Sequence, residues 1–354
     1  MSIPRTTHTK RVGALTATLA AAALALSACA GGGGAPAGSE GASGPAKADA
    51  TITFIPKQLN NPYTDVVLGG GKTAAKAAGF ATANVVGPLE ASASSQVTFI
   101  NAETQAGTNA IVIAANDPDA VCSALDEARA AGAKIVAFDS DTNPECRDVF
   151  ISQVVAKDVA LIQTKLISEQ IGGSGEIAIL SATANATNQN EWIKFMEEEL
   201  KSNPEYKDIK LVAKVYGDDD DAKSFQEAQG LMQAHPNLKG IISPTTVGIA
   251  ATARYLSTSQ YKGKVALTGL GLPNEMRSFV KDGTVSEFAL WDPAQLGEVA
   301  AYAAKALVDG TITGAVGDKF TAGDLGERTI EDGGIVIVGP PTVFTKDNID
   351  DYDF

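Results

Sequence analysis

The chain has 354 residues, 44% of them hydrophobic and 20% charged, with a formal net charge of −14 and a pI near 4.6. That length accommodates two domains of ~150 residues each, and the acidity excludes a nucleic-acid-binding protein, which needs a basic face. Only two histidines are present, His8 and His235, so a histidine metal site or a Ser-His-Asp triad is hard to build, and no cofactor or metal is expected.

Residues 1–28 carry Arg5, Lys10 and Arg11, no acid, and an apolar run from Val12 to Leu26. That run is too short for a permanent span and reads as an export leader. It ends Leu26-Ser27-Ala28-Cys29, small residues before a cysteine that resemble a bacterial lipobox, in which the thiol of Cys29 is lipidated. Residues 29–50 are rich in Gly, Ala, Ser and Pro and read as a flexible tether. The chain is thus expected to be exported and lipid-anchored to the outer face of the cell membrane, with a body of 25 basic against 42 acidic residues beyond the leader.

From Thr51 onward strands and helices alternate. Apolar strand candidates are 51–55, 82–86, 109–114, 134–138, 149–154, 175–180, 209–216, 240–243, 264–269 and 285–290. Amphipathic runs at 92–107, 155–171, 189–202, 221–234, 245–258 and 294–308 separate most of them. The alternation predicts an α/β protein with two doubly wound, parallel-sheet lobes joined by a hinge. The strands at 134–138 and 149–154 lack a helix between them, which marks the break between two βα arrays. The expected N-terminal lobe is 51–153 plus about 292–325. The expected C-terminal lobe is 154–291 plus about 326–354, with the chain crossing near Val154 and near Trp291.

The first strand, Thr51–Ile55, runs into Pro56-Lys57-Gln58-Leu59-Asn60-Asn61-Pro62-Tyr63. A cation, three amides and an aromatic ring therefore stand at the carboxyl end of a parallel strand, the edge where open α/β sheets bind ligands. Other strands end alike: Ala115-Asn116-Asp117-Pro118, Asp139-Ser140-Asp141, Thr187-Asn188-Gln189-Asn190-Glu191-Trp192, Ser243-Pro244-Thr245-Thr246, Gly269 to Asn274, and Leu290-Trp291-Asp292-Pro293. Carboxylates and amides exchange hydrogen bonds with neighbouring hydroxyls, and aromatic faces cover the C–H faces of a small polyol. Singly, each such residue is more often a cap or turn than a ligand; the recurrence at one edge carries the reading.

Three patterns are set aside. Gly69-Gly70-Gly71-Lys72-Thr73 lacks the earlier glycine of a phosphate loop, Val66 standing there, and lies inside a helical run. The four acids Asp218–Asp221 read as a solvated loop leading into a helix rather than a calcium site, and Asn185-Ala186-Thr187 fits a glycosylation triplet of little weight in an exported bacterial chain. Cys122 and Cys146 remain either a disulfide, worth roughly 3–4 kcal/mol over such a loop, or two buried free thiols.

The leader, tether, two-lobe pattern and strand ends together resemble the lipid-anchored substrate-binding proteins of sugar-importing ABC transporters, with the ribose-binding, type I periplasmic binding-protein fold, over about residues 50–354. Ile55-Pro56-Lys57, Ile177 to Thr183, Thr187-Asn188-Gln189-Asn190 and Thr268 to Pro273 are similar to the rhamnose-binding branch and its relative, the autoinducer-2 receptor. Tyr216-Gly217-Asp218-Asp219 and Pro244 to Ala250 look like the rhamnose branch. The resemblance implies that Lys57 reaches the ligand, that Asp139 binds sugar hydroxyls, and that Pro244 and Thr246 line the site. Asn188 and Gln189 stand where the autoinducer receptor has Asp-Gln, a departure that favours a plain sugar. Gly271 occupies the place of a ligand-binding aspartate, with Asn274 or Asp292 to replace it, and Trp291 forms a wall at the second hinge. The ligand-binding set is completed by Asn61, Tyr63, Asn116, Asp117 and Trp192.

The expectation is a monomeric, extracytoplasmic solute-binding protein that captures L-rhamnose or another small sugar and passes it to an ABC permease driven by a separate ATPase; autoinducer-2 or another pentose or hexose is the alternative. An enzyme is not expected. Asp139 and Asp141, two apart on an extended segment, are poorly placed to flank one glycosidic bond. A repressor of the same fold would need a DNA-binding headpiece, and a receptor feeding a sensor kinase is compatible with transport.

Overall fold

The computed structural model describes residues 49–354, so the expected leader, Cys29 and nearly all of the tether lie outside the described residues. The first array comprises β1 (Thr51–Ile55), α1 (Pro62–Ala77), β2 (Thr82–Val85), α2 (Ala93–Ala106), β3 (Ala110–Ile113), α3 (Cys122–Ala130), β4 (Lys134–Phe138) and β5 (Val149–Ser152). The second comprises α4 (Ala156–Ile171), β6 (Gly175–Ser181), α5 (Thr187–Ser202), β7 (Ile209–Tyr216), α6 (Asp221–Ala234), β8 (Leu238–Ser243), α7 (Thr246–Thr258), β9 (Ala266–Gly269), α8 (Pro273–Lys281) and β10 (Phe288–Leu290). The chain then returns through α9 (Pro293–Val308), β11 (Lys319–Thr321), β12 (Glu327–Thr329) and β13 (Ile335–Ile337), and ends with β14 (Thr342–Phe344).

The result is an α/β fold of two lobes. In the first sheet the order is β13-β5-β4-β3-β1-β2, every pairing parallel. The apolar strands explain this: alternate residues feed opposite faces, and both faces are covered. Ile52, Phe54, Val112 and Val136 pack with Leu296 and Ala300 of α9 on one side, while Ile111, Ile113 and Ile135 pack with Ile100 and Leu125 of α2 and α3 on the other. The second sheet runs β7-β6-β8-β9 in parallel, joined at β9's edge to β10 by the Leu270–Ala289 bridge, with β14 antiparallel to β10. Phe288 stacks on Phe344 at 5.1 Å between ring centroids, which seats the C-terminal segment on the second lobe.

Two of the three glycines in the α1 run, Gly70 and Gly71, have a packing explanation, while a Cβ at Gly69 would meet nothing within 4 Å. A Cβ at Gly297 would lie 2.0 Å from the Val67 carbonyl oxygen, and one at Gly70 would lie 2.3 Å from that of Ala294. The backbones of α1 and α9 touch there, and only glycine permits it. Cys122 and Cys146 form a disulfide, with 5.3 Å between Cα atoms, which ties α3 to the turn following β4.

The chain leaves the first sheet after β5 and again leaves the second after β10, near the two expected crossings. Its last crossing comes later than the expected 325–326. β13 pairs in parallel with β5, so the chain stays with the first sheet through Ile337 and crosses between there and Thr342.

Candidate functional site

The carboxyl ends of the two sheets face one another across a cavity that leaves about 60 Å³ for the centres of water-sized molecules. Lys57, Asn61, Tyr63, Asp139, Asn188, Gln189, Trp192, Pro244, Thr246 and Trp291 of the expected set line it, together with Gln58, Asp219 and Thr245.

From the first lobe, the connection after β1 is fixed before it reaches the cavity. Buried Gln96 donates to the carbonyls of Pro56 (3.0 Å) and Ala114 (2.7 Å), and Asn116 Nδ2 donates to the Lys57 carbonyl (2.8 Å). Asn61 accepts from the Thr64 amide as the cap of α1, with Pro62 behind it at the first helical position. Lys57 Nζ then lies 2.9 Å from Asp139 Oδ2 and donates to Asn188 Oδ1 at 3.4 Å, across the cleft.

Asp139 has a left-handed backbone, φ 59°, which aspartate tolerates better than most residues. Its Oδ1 accepts from the Tyr63 hydroxyl (3.0 Å) and Gln153 Nε2 (3.2 Å), and its Oδ2 accepts from Asn188 Nδ2 (3.4 Å) besides Lys57. Trp291 Nε1 in turn donates to the Tyr63 hydroxyl at 3.0 Å. Burial, and next the Asp139 charge, push the Tyr63 phenol well above its ordinary range, so it stays a donor. Trp291 meets Tyr63 and Trp192 edge-on, with centroids 6.2 and 5.9 Å apart, making an aromatic wall.

From the second lobe, the N-terminus of α5 presents Asn188 and Gln189. Gln189 Oε1 accepts from the Ser181 hydroxyl (2.6 Å) and the Ala182 amide (2.8 Å), which pins the helix to the end of β6. Asp219, on the connection from β7 to α6, accepts from the Thr245 hydroxyl, and Gln58 Nε2 of the opposite lobe donates to its carbonyl at 3.2 Å. Burial pushes the Asp219 carboxyl up from its usual range, and the Thr245 hydrogen bond and Lys57 only partly offset this. Ser140 and Thr187 hydroxyls, 2.9 Å apart, add a further link between the lobes.

Residues 52–312 match the periplasmic binding protein domain family. The chain belongs to that family. Solved structures similar to it include the following three. A sugar ABC transporter from Actinomyces odontolyticus is 72% identical, with 86% of this chain and 98% of that chain covered, at a TM-score of 0.71. An ABC transporter solute-binding protein from Clostridium phytofermentas with bound L-rhamnose is 38% identical over 86% of this chain and 98% of that chain, at a TM-score of 0.82. LsrB from Clostridium saccharobutylicum in complex with AI-2 is 27% identical over 86% of this chain and all of that chain (100%), at a TM-score of 0.80.

This periplasmic binding protein is therefore an extracytoplasmic, sugar-binding solute-binding protein of an ABC transporter, and not an enzyme. Among the described residues no helix is long and apolar enough to cross a membrane. Nor do any three or more His, Cys, Asp or Glu side chains among them gather as metal ligands.

Four expected site residues fall outside the cavity of the binding protein. Asn116 is spent on holding the Lys57 carbonyl, and Asp117 accepts from the Asp119 and Ala120 amides at the turn into α3. Asn274 lies at the surface, paired with Asp353 and Arg277. Asp292 caps α9, accepting from the Ala294 amide at 2.9 Å. Each lies at or just past a strand end, as expected, but its side chain is engaged by the backbone or by side chains outside the cavity. Conversely, Asp219 was hidden in the run of four acids. The feature that distinguishes it is its place just past the end of β7, one residue beyond Gly217-Asp218.

Proposed function

We propose that this protein captures a neutral monosaccharide, with L-rhamnose as the first candidate, and delivers it to a permease powered by a separate ATPase. The observation that carries the reading is the cavity itself. One cation, two carboxylates and several amides face each other from two lobes, beneath an aromatic wall, in one shared cavity. Ligand contacts to both lobes at once are what favour closure about the crossings. The TM-scores support such a hinge: the 72%-identical chain superposes at 0.71, below the 0.82 of the 38%-identical L-rhamnose complex. A changed setting of the lobes lowers the score without any change in their folds.

Rhamnose is supported by that complex and by Asn188 in place of an acid. The AI-2 complex, at a TM-score of 0.80, favours the second reading, a signal receptor. Cys29 is the proposed lipid attachment point, with residues 29–50 as its tether, and the protein works as a monomer.

Thermal denaturation with L-rhamnose, other hexoses and pentoses, and AI-2 tests the assignment. A ligand at a hundred times its dissociation constant stabilises by about 2.7 kcal/mol, or several degrees. A shift with L-rhamnose alone is expected. A shift with AI-2 alone moves the protein to signalling, and no shift with any sugar overturns the reading.

A further inference from the structure

The two carboxylates of the cavity are in opposite states. A carboxylate has about four acceptor positions, and those of Asp139 are taken by Tyr63, Gln153, Lys57 and Asn188. A sugar hydroxyl that approaches Asp139 has to displace one of these donors. Asp219 accepts one hydrogen bond at Oδ1, from Thr245, and its Oδ2 accepts none among the described residues.

From this geometry we infer that Asp219 is a specificity-determining residue, whose open carboxylate oxygen accepts a hydroxyl hydrogen of a bound neutral sugar. The inference rests on the sugar-binding reading and says which side chain selects within it. Asp219 is held for that task. The Gly217 and Asp218 amides donate to the carbonyls of Ser181 (2.8 Å) and Ala182 (3.0 Å), pinning the loop to β6. Gln58, from the other lobe, holds the Asp219 carbonyl. Its φ of 52° is a left-handed conformation that, among residues with a side chain, aspartate and asparagine adopt most readily. With Lys57 the one cation against Asp139 and Asp219, the lining carries a surplus of one negative charge. That balance suits a ligand that donates hydrogen bonds and disfavours sugar acids and sugar phosphates.

Isothermal titration of the wild-type protein and of Asp219→Asn tests this, using L-rhamnose (or whichever sugar of the panel binds) and its monodeoxy analogues. Asparagine keeps the left-handed backbone and the Thr245 contact, so the variant folds, and its circular dichroism serves as the check. The expected result is a ~10–100-fold loss of affinity for the parent sugar, the scale of one hydrogen bond to a charged group. That loss shrinks to under ~3-fold for the one deoxy analogue that lacks the accepted hydroxyl. An unchanged affinity, or an equal loss for every analogue, overturns the inference while leaving the sugar reading intact. Absence of wild-type binding to every sugar overturns both.

Discussion

Each lobe contributes one carboxylate to the cleft, and both sit on left-handed backbones, φ 59° at Asp139 and 52° at Asp219. Their surroundings differ. Asp139 is braced from three sides: by Lys57 on the β1 connection, by Gln153 at the first crossing, and by Tyr63, itself held by Trp291 at the second. The disulfide further fastens the turn that follows β4. Asp219 has a single hydrogen-bond donor on its side chain among the described residues. The first lobe therefore presents a preorganised wall tied to the hinge, and the second presents acceptor capacity still to be used. Preorganisation on one side lowers the ordering cost of binding, and unused acceptors on the other supply discrimination.

The comparison breaks first at Asp139. Asp139→Ala leaves the partly buried Lys57 ammonium without its carboxylate partner, with only Asn188 Oδ1 to accept from it, and the Tyr63 hydroxyl without its acceptor. Breaking such a pair costs ~3–5 kcal/mol, so a lowered melting midpoint and a loss of sugar affinity beyond ~100-fold are expected together. Asp219→Asn, by contrast, changes affinity without lowering the midpoint. Calorimetric scans and titrations of the two variants side by side check this; equal destabilisation would erase the distinction between wall and selector.

The second effect is that of the disulfide, which belongs to the first lobe alone among the described residues. The sequence separation of 24 corresponds to ~3.5 kcal/mol of loop-closure entropy. Replacing both cysteines by serine should lower the urea midpoint accordingly. Hydrogen exchange should quicken in α3 and the turn after β4 before it does in the second lobe. Uniform acceleration across both lobes would mean that the disulfide does not brace the first lobe selectively.

Much of this arrangement is legible in the sequence, for identifiable reasons. Buried parallel strands are continuous apolar runs, and ten of the fourteen expected ligand residues line the cavity because they follow such runs. β11 to β14 escape notice since three residues cannot display a period, and the late return of the chain through β13 is hidden with them. Asn116, Asp117, Asn274 and Asp292 mislead for a chemical reason: the groups that bind sugar hydroxyls are those that cap helices and satisfy loops. Asp219 misleads in the opposite sense, as one acid among four, marked out by its place just past β7 and by its contacts with Thr245 and Gln58. The pairing of Cys122 with Cys146 requires knowing that the turn after β4 comes back against α3.

The smallest expected effect separates the cleft from the remainder of the second lobe by its sign with pH. On that lobe's outer surface Asp282 accepts from Lys262 at 2.8 Å and from Thr284, first of which holds its carboxyl down to about 2 from an ordinary 3.8. Its folded pKa is below the unfolded value, so its stabilisation is complete above ~pH 4 and is lost as the pH falls toward 2. Asp219 runs the other way. Burial raises its pKa, with Asp139 and Asp218 adding to the rise and Lys57 opposing it, so protonation on mild acidification stabilises the unliganded fold while removing the charge that a sugar hydroxyl needs. The Lys262–Asp282 pair is exposed, worth ~0.5 kcal/mol after solvent screening. Asp282→Asn should therefore lower the melting midpoint by a degree or so at pH 7, with the difference closing by pH 2 and sugar affinity unaffected throughout. Wild-type affinity should weaken on the acid side before that pair titrates, because the cleft carboxylate takes up its proton first. Melting curves and titrations from pH 7 down to 2 measure both, and an affinity that fell only in step with the Asp282 transition would assign the acid sensitivity to the lobe's surface rather than to its cleft.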